Sequence, residues 1–259
     1  MIIDVNTFLG HYPFRRIDGG SPAFLVDAMR RARIDQVWIS NVASLFWRSP
    51  AEGNRILYQA AANQPAFRPV PSVHPGILGW EAIVEEALER GAPCVRADPT
   101  FYGIAPAGPE MANLMAVCGA LNVPLQMAVR LEDGRQRHPN DGSSDLPAAA
   151  IRSLIRVHPA AKLIVTHADR DVVEQVHFGS TPDEAARILW DICWLWGPPE
   201  DQLSLLIKTV GAARFCFGTG MPLRLPESSI AKLELTDVDL TERRAIESSN
   251  ARAFVAQPR

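Results

Sequence analysis

The chain has 259 residues and a formal net charge of −3, with 47% hydrophobic and 21% charged residues, a composition typical of a globular protein with a large core. This balance gives no broad positive field and argues against sequence-independent nucleic-acid binding. No run approaches the roughly 20 apolar residues that cross a bilayer, and the N-terminus does not resemble a targeting segment, so we expect a cytoplasmic protein without membrane partners.

The first half of the chain alternates short apolar runs with amphipathic segments. This alternation predicts four strand–helix units, and Ser21-Pro22 marks the start of the first helix. We predict strands at 2–5, 36–40, 68–73 and 93–96, followed by helices at 24–29, 51–62, 80–90 and 110–121.

The second half continues the alternation and completes eight units. A long polar loop follows the fifth strand, and the sixth strand ends at His167. The apolar segment 187–195 fits a strand or a helix by periodicity, and its place in the chain order favours strand seven. We predict strands at 123–130, 162–166, 187–195 and 214–217, with helices at 147–157 and 241–255.

Eight strand-containing units predict a single (β/α)8 TIM barrel, an α/β fold that occupies residues 1–259 as one domain. A doubly wound open sheet is the main structural alternative. The loop 131–146 then lies on the catalytic face of the barrel, and its charged part, 132–138, forms either a lid or a solvated loop.

The cysteine and tryptophan positions indicate packing rather than chemistry. The cysteines are widely spaced without a C-x-x-C pair, so we expect buried reduced thiols instead of a zinc site or disulfides. The spacing of three tryptophans is typical of core packing or of an oligomer contact, and a homo-oligomer is possible. These residues are Cys94, Cys118, Cys193 and Cys216, and Trp190, Trp194 and Trp196.

Four segments, taken in order, resemble a known family. The chain reads IDVNTF at 3–8, KLIVTH at 162–167, FGTGMP at 217–222 and NA at 250–251. Together they resemble the amidohydrolase-related branch of the amidohydrolase superfamily, which often opens with I-D-x-H-x-H and closes with F-G-S-D-x-P before a helix containing N-A. The resemblance spans the whole length and implies a TIM-barrel hydrolase.

The departures from the family pattern concern the metal ligands. The resemblance implies that the first two family histidines fall on Asn6 and Phe8, the strand-five histidine on Ala128 and the strand-eight aspartate on Gly220, so that His167 alone remains. A divalent metal needs several converging ligands. We therefore expect no metal and no other cofactor.

Strand alternation then defines the barrel opening. We expect Asp4, Asn6 and Phe8 to face inward together, with Asp4 in a structural position at the base. The arginines on strands four and five, with His167, can receive a carboxylate, or they can pair with nearby acids. The predicted substrate-binding residues are Asn6, Arg15, Arg96, Gln126 and Arg130, and the predicted catalytic residues are His167, Asp98 and Glu132.

Three functional interpretations follow. The first is a metal-independent hydrolase or lyase for a small carboxylated substrate such as a lactone, chemistry that the resemblance implies. The second is a non-catalytic barrel that binds a small anion or serves as a regulatory or structural subunit. The third is a different alignment in which a metal binds through Asp98, Glu132 and His167.

Overall fold

A computed structural model describes residues 1–255. The segment predicted as strand seven is confirmed as a strand. All strand pairs are parallel. The strands are β1 (Ile3–Leu9), β2 (Gln36–Asn41), β3 (Phe67–Pro69), β4 (Val95–Arg96), β5 (Leu125–Ala128), β6 (Leu163–Thr166), β7 (Ile188–Asp191) and β8 (Phe215–Cys216).

Helices follow the strands along the chain. Ser21 caps the first helix by accepting a hydrogen bond from the Phe24 backbone N–H, as the Ser-Pro signal predicts. The helices are α1 (Pro22–Ala32), α2 (Ala51–Ala62), α3 (Glu81–Glu89), α4 (Pro99–Tyr102), α5 (Pro109–Ala120), α6 (Ala148–Ile155), α7 (Arg170–His177), α8 (Pro182–Ala186), α9 (Gln202–Val210), α10 (Pro226–Leu235), α11 (Leu240–Arg244) and α12 (Asn250–Phe254).

Single bridges join the two sheets into a closed barrel. One sheet has the order β1-β2-β3 and the other β4-β5-β6-β7-β8. Parallel bridges connect Ser72 with Arg96 beyond β3, and Thr7 with Met221 beyond β8. The Phe8 N–H donates to the Met221 carbonyl at 2.8 Å across the second junction. The predicted (β/α)8 barrel is therefore confirmed, and the open sheet is not the fold.

Side chains alternate between two cores along the strands. On β6, Leu163 and Val165 pack outward against the helices, whereas Ile164 packs inside the barrel. The interior cluster ends against α12, which covers the N-terminal end of the barrel. Its buried members are Ile3, Val5, Trp38, Val70, Cys94, Ile164, Leu189, Cys216 and Ala251.

A bulge in β1 changes which residues face inward. The register with β2 shifts between Asp4 and Thr7. Because Ile3 and Val5 belong to the interior cluster, Asp4 points the other way, and the alternation restarts after the bulge with Asn6. The expectation that Asp4, Asn6 and Phe8 share one face is therefore wrong for Asp4.

The structure contains helices that the sequence patterns did not predict. The segments α7, α8, α9 and α10 follow strands six, seven and eight, where only a closing helix was predicted. That closing helix is interrupted by a π-helical turn at Ala245–Ser249. The irregular turn leaves the Ile246 carbonyl to accept the Phe217 N–H at 2.8 Å, which ties the helix to β8.

Two further features concern the length of the helices and the state of the cysteines. None of the helices within residues 1–255 is long and apolar enough to cross a membrane. The four cysteines are buried and carry free thiols, as the spacing predicts.

Candidate functional site

His167 follows β6 and lies at the centre of the barrel opening. The residue is fully buried, and its backbone adopts a left-handed conformation with φ of 57°. The His167 N–H donates to Asp191 Oδ1 at 2.9 Å. Since the left-handed region is unfavourable for most side chains, this hydrogen bond to the end of β7 helps to hold the turn that presents the imidazole ring.

Asn6 connects His167 and Asp191 from β1. Its Nδ2 atom donates to Asp191 Oδ2 at 2.7 Å and lies 3.3 Å from His167 Nδ1. A carboxylate oxygen accepts hydrogen bonds, so this contact fixes the orientation of the amide and leaves its other hydrogen for Nδ1. Nδ1 also lies 3.3 Å from the Thr166 hydroxyl, and the neutral imidazole carries its proton on Nε2 when Nδ1 accepts from Asn6 or Thr166.

Several polar atoms in this cluster lack a partner. His167 Nε2, Asn6 Oδ1 and Arg224 Nε are buried and make no hydrogen bond among the described residues. Two of these atoms are donors by the arrangement above, and one is an acceptor. Because a buried polar group without a partner costs free energy, the cluster is suited to a polar ligand.

Arg224 and Trp194 lie beside the unpartnered imidazole nitrogen. The Arg224 guanidinium carbon is 3.6 Å from the centroid of the Trp194 ring, and that ring meets the His167 ring edge-on with centroids 5.9 Å apart. A β-carbon built on Gly220 would lie 3.0 Å from His167 Nε2 and 3.5 Å from Arg224 Cδ. A side chain at position 220 would therefore press against the His167 ring and lie close to Arg224.

The electrostatic environment keeps His167 neutral. Burial lowers the pKa of its imidazole well below the ordinary value, and the positive charges of Arg224, Arg96 and Arg130 lower it further. A neutral imidazole at pH 7 can donate a hydrogen bond from Nε2 to an anion that the arginines attract. The site therefore combines fixed donors with a positive field.

The predicted residues on β4 and β5 form a closed network. Arg96 Nε donates to Asp98 Oδ2 at 2.6 Å, and Asp98 Oδ1 accepts the Ala128 N–H at 2.9 Å. Arg96 also contacts Gln126, whose amide donates to the Val5 carbonyl at 2.7 Å. These contacts use the polar atoms of Arg96, Asp98 and Gln126 to join strands, so the structure places Asp98 in an internal ion pair.

Arg130, Arg15 and Glu132 lie nearer to the surface of the opening. Arg130 pairs with Asp145 at 2.8 Å and with Asp169 at 2.6 Å. Arg15 contacts Glu132 at 2.8 Å, and its Nη2 donates to the Leu223 carbonyl at the same distance. Arg15 thus links the loops after β1, β5 and β8 above the barrel axis.

Asp4 has the structural position expected for it. Its carboxylate accepts hydrogen bonds from the Asn6 and Thr219 backbone N–H groups and from the Thr7 and Thr219 hydroxyls. Burial raises the pKa of Asp4 to about 6 despite these hydrogen bonds, each of which lowers it. These contacts fasten β1 to the segment that follows β8.

An aromatic and aliphatic layer closes the barrel axis above His167. Phe8 packs in it with its ring centroid 6.2 Å from the His167 ring. The layer consists of Phe8, Tyr12, Val42, Leu45, Ala128, Leu131 and Leu223, with Phe14, Ile17, Phe46, Phe101 and Tyr102 packed against it. His167 therefore lies beneath a cover rather than on an open pocket wall.

One cluster within residues 1–255 offers candidate metal ligands. His167, Asp191 and Cys193 each offer one ligand atom, and these atoms lie within 4.8 Å of one another. Both Asp191 oxygens already accept hydrogen bonds, including one from the Cys193 thiol at 3.4 Å. Burial and the Asp191 charge raise the pKa of that thiol. These three residues form a hydrogen-bonded network, and together they are a candidate set of metal ligands.

Three residues of this site did not emerge from sequence reasoning. Asp191 is the last residue of β7, the usual position for a functional group in such a barrel, but the ambiguous apolar segment around it concealed that position. Trp194 is buried, in agreement with the predicted packing role, and it also contacts His167 and Arg224. Arg224 follows β8 in an irregular segment that carries no recognisable pattern.

Comparisons with known proteins agree with this architecture. A family model described as Amidohydrolase matches residues 45–256. No curated protein sequence matches the chain.

Solved structures of low sequence identity share the fold. A 2,6-dihydroxybenzoate decarboxylase from Rhizobium is 13% identical, with a TM-score of 0.73 and coverage of 98% of each chain. A putative amidohydrolase from Staphylococcus aureus is 11% identical, with a TM-score of 0.76, and covers 98% of this chain and 99% of its own. A putative 2-pyrone-4,6-dicarboxylic acid hydrolase from Pseudomonas putida is 16% identical, with a TM-score of 0.69 and coverages of 98% and 96%.

Proposed function

The chain belongs to the amidohydrolase family, and we propose that it is a hydrolase or lyase that acts without a metal on a small carboxylated substrate such as a lactone. The observation that carries the proposal is the pair of buried nitrogen atoms without a partner, His167 Nε2 and Arg224 Nε, in two residues that lie close to Gly220. Similar structures include a decarboxylase and a hydrolase named for carboxylated compounds, which supports this substrate class.

In this proposal each residue has a separate task. Arg224 binds the substrate carboxylate, since a guanidinium group matches a carboxylate in charge and geometry. His167 donates a hydrogen bond from Nε2 to the oxygen of the reacting carbonyl or carboxyl group, and Asn6 and Asp191 hold the imidazole in that tautomer. Glu132 at the opening is the acid–base candidate, because its partner Arg15 is half exposed and can separate from it, whereas Asp98 is buried with Arg96.

The substrate must pass the aromatic layer to reach His167. Arg15 joins three loops above the axis, and its side chain is about half exposed. Separation of the Arg15–Glu132 pair would release the loop after β5 from the loop after β1. The proposed reaction therefore includes an opening step before binding.

Binding of carboxylates tests the proposal directly. We expect millimolar mono- and dicarboxylates to raise the melting temperature by several degrees, because a ligand that binds the folded state at 100 times its Kd stabilises it by about 2.7 kcal/mol. Arg224→Gln should remove the shift. Arg68→Gln, which removes an exposed arginine on β3, is the matched control and should retain it. A parent protein without any shift across the panel would contradict the proposed site.

Turnover requires a separate measurement. A panel of lactones and carboxylic acids, followed by NMR, should reveal a substrate whose conversion falls at least about 100-fold in His167→Asn. Asparagine is chosen because it tolerates the left-handed backbone better than alanine does. Added chelator should leave the rate of the parent unchanged, and a chelator-sensitive rate would contradict metal independence.

A non-catalytic barrel that binds a small anion is the second candidate function. The complete burial of His167 beneath the aromatic layer favours it, because a binding site without turnover has no need for rapid access. Carboxylate binding lost in Arg224→Gln, together with no turnover across the panel, would support this alternative.

A further inference from the structure

We propose that a second site on the same face of the barrel binds a flat aromatic ring that carries one carboxylate group. The site is a cleft of about 610 Å³, which we call the side cleft. It is formed by the loops after β1, β2, β3, β4 and β5, and it lies off the barrel axis. Its volume falls within the range of small-molecule sites.

Aromatic side chains form the walls of the side cleft. Trp47 is 41% exposed there, an unusual exposure for so large an apolar side chain in a concave surface. The Phe46 ring packs edge-on against Phe101 with centroids 5.6 Å apart, and both rings line the cleft. Fixed aromatic surfaces of this kind favour a flat ring, because stacking and edge-on contacts add to the free energy of burial.

His74 supplies a directed hydrogen-bond donor. Its ring stacks on Tyr102 with centroids 4.3 Å apart and an interplanar angle of 11°. Its Nδ1 atom accepts the Gly76 N–H at 3.1 Å, so the neutral ring carries its proton on Nε2. Stacking and this hydrogen bond fix the His74 ring, and His74 is one of the residues that line the cleft.

Arg48 supplies the charge. It lines the cleft, is exposed, and forms no ion pair or side-chain hydrogen bond with any of residues 1–255. Asp141 is the only acidic residue in the lining, and it is occupied by the Tyr12 hydroxyl and the Ser143 N–H. The lining therefore offers one cation without an ion-pair partner, which can bind one carboxylate group.

The side cleft is distinct from the site around His167. None of Asn6, His167, Asp191 and Arg224 lines it. The cleft shares five residues with the aromatic and aliphatic layer above His167, namely Phe14, Leu45, Phe46, Phe101 and Tyr102. The inference therefore does not depend on the proposed function, and each site can be tested while the other is intact.

Benzoate is the probe for this site. We expect a titration of the full chain with benzoate to shift one tryptophan indole N–H signal in 1H–15N spectra, the signal that is missing in Trp47→Phe. Benzamide, which lacks the charge, and cyclohexanecarboxylate, which lacks the flat ring, should each bind at least about 10-fold more weakly.

Matched variants separate the two sites. Arg48→Gln should weaken benzoate binding about 10-fold or more, whereas Arg68→Gln and Arg224→Gln should leave the Trp47 shift unchanged. A shift of the Trp194 signal in place of the Trp47 signal, with loss of binding in Arg224→Gln, would place benzoate in the central site and overturn the inference. The absence of any shift at 20 mM benzoate, roughly the limit for weak specific binding at about −2 kcal/mol, would overturn it as well.

Discussion

Gly220 lies so close to His167 that a β-carbon at position 220 would be 3.0 Å from Nε2 of the imidazole. The glycine also has a φ of 71°, a conformation that other residues adopt at a cost. Two separate physical constraints therefore keep this position without a side chain. The imidazole next to this glycine is one of the two groups that we propose to contact the substrate.

Gly220→Ala is expected to lower stability and ligand binding together. The left-handed backbone costs about 1 kcal/mol, and displacement of the imidazole adds a further cost of about 1 kcal/mol. Gly91→Ala is the matched control, because Gly91 has a φ of 67° with no atom near the added carbon. Denaturant unfolding should show the larger loss for Gly220→Ala, and equal losses in the two variants would contradict the contact with His167.

The internal pair of Arg96 and Asp98 provides a second prediction. Both side chains are 1% exposed, so removal of one partner leaves a buried charge without compensation. We expect Arg96→Met to destabilise the fold by about 3–5 kcal/mol. The double variant with Asp98→Asn should recover part of that loss, since no unpaired charge remains.

Urea unfolding of the two single variants and the double variant measures this coupling. Additive losses in the double variant would show that the two residues act independently. Such a result would return Asp98 to the set of acid–base candidates, because it would then be available for proton transfer.

Much of the barrel could be predicted because strand order and buried apolar runs are local properties of the chain. The α2 helix has the predicted bounds, and His167 was placed at the end of strand six for the same reason. The β1 bulge was not predictable, since it depends on how Asp4 meets Thr219, a residue far along the chain. Arg224 was missed for a related reason: its role comes from Trp194 and Gly220 rather than from its neighbours in sequence.

Metal content gives a third prediction. We expect protein purified without metal-affinity resin or chelator to carry less than one divalent metal per chain. Added zinc should not raise the melting temperature, because the Cys193 thiol and the Asn6 amide already satisfy Asp191. Elemental analysis and a thermal scan measure both properties. A stoichiometric metal whose binding is lost in both Asp191→Asn and Cys193→Ser would identify the His167–Asp191–Cys193 cluster as a metal site.

Lys232 provides a prediction about how the stability of the fold depends on pH. Its ammonium group is buried and donates to the Ile192 carbonyl at 2.7 Å and to the Cys193 carbonyl at 3.1 Å, so it supports the segment that leads to Trp194. Burial lowers the pKa of Lys232 to about 8. The unfolded chain binds this proton below about pH 10.5, whereas the folded protein binds it only below about pH 8.

The free energy of unfolding is therefore highest above about pH 10.5, where Lys232 is neutral in both states. It falls progressively as the pH falls towards 8, because the unfolded chain takes up the proton more readily than the folded protein does. The change amounts to about 3 kcal/mol, since one pKa unit corresponds to about 1.4 kcal/mol. Lys232→Met should flatten the pH dependence of unfolding in this range, whereas Lys208→Met, at an exposed lysine, should leave it intact. The chain has three lysines, so NMR of reductively methylated protein can resolve each titration. A Lys232 signal that titrates near pH 10.5 would contradict the burial of its charge and the support that it gives to Trp194.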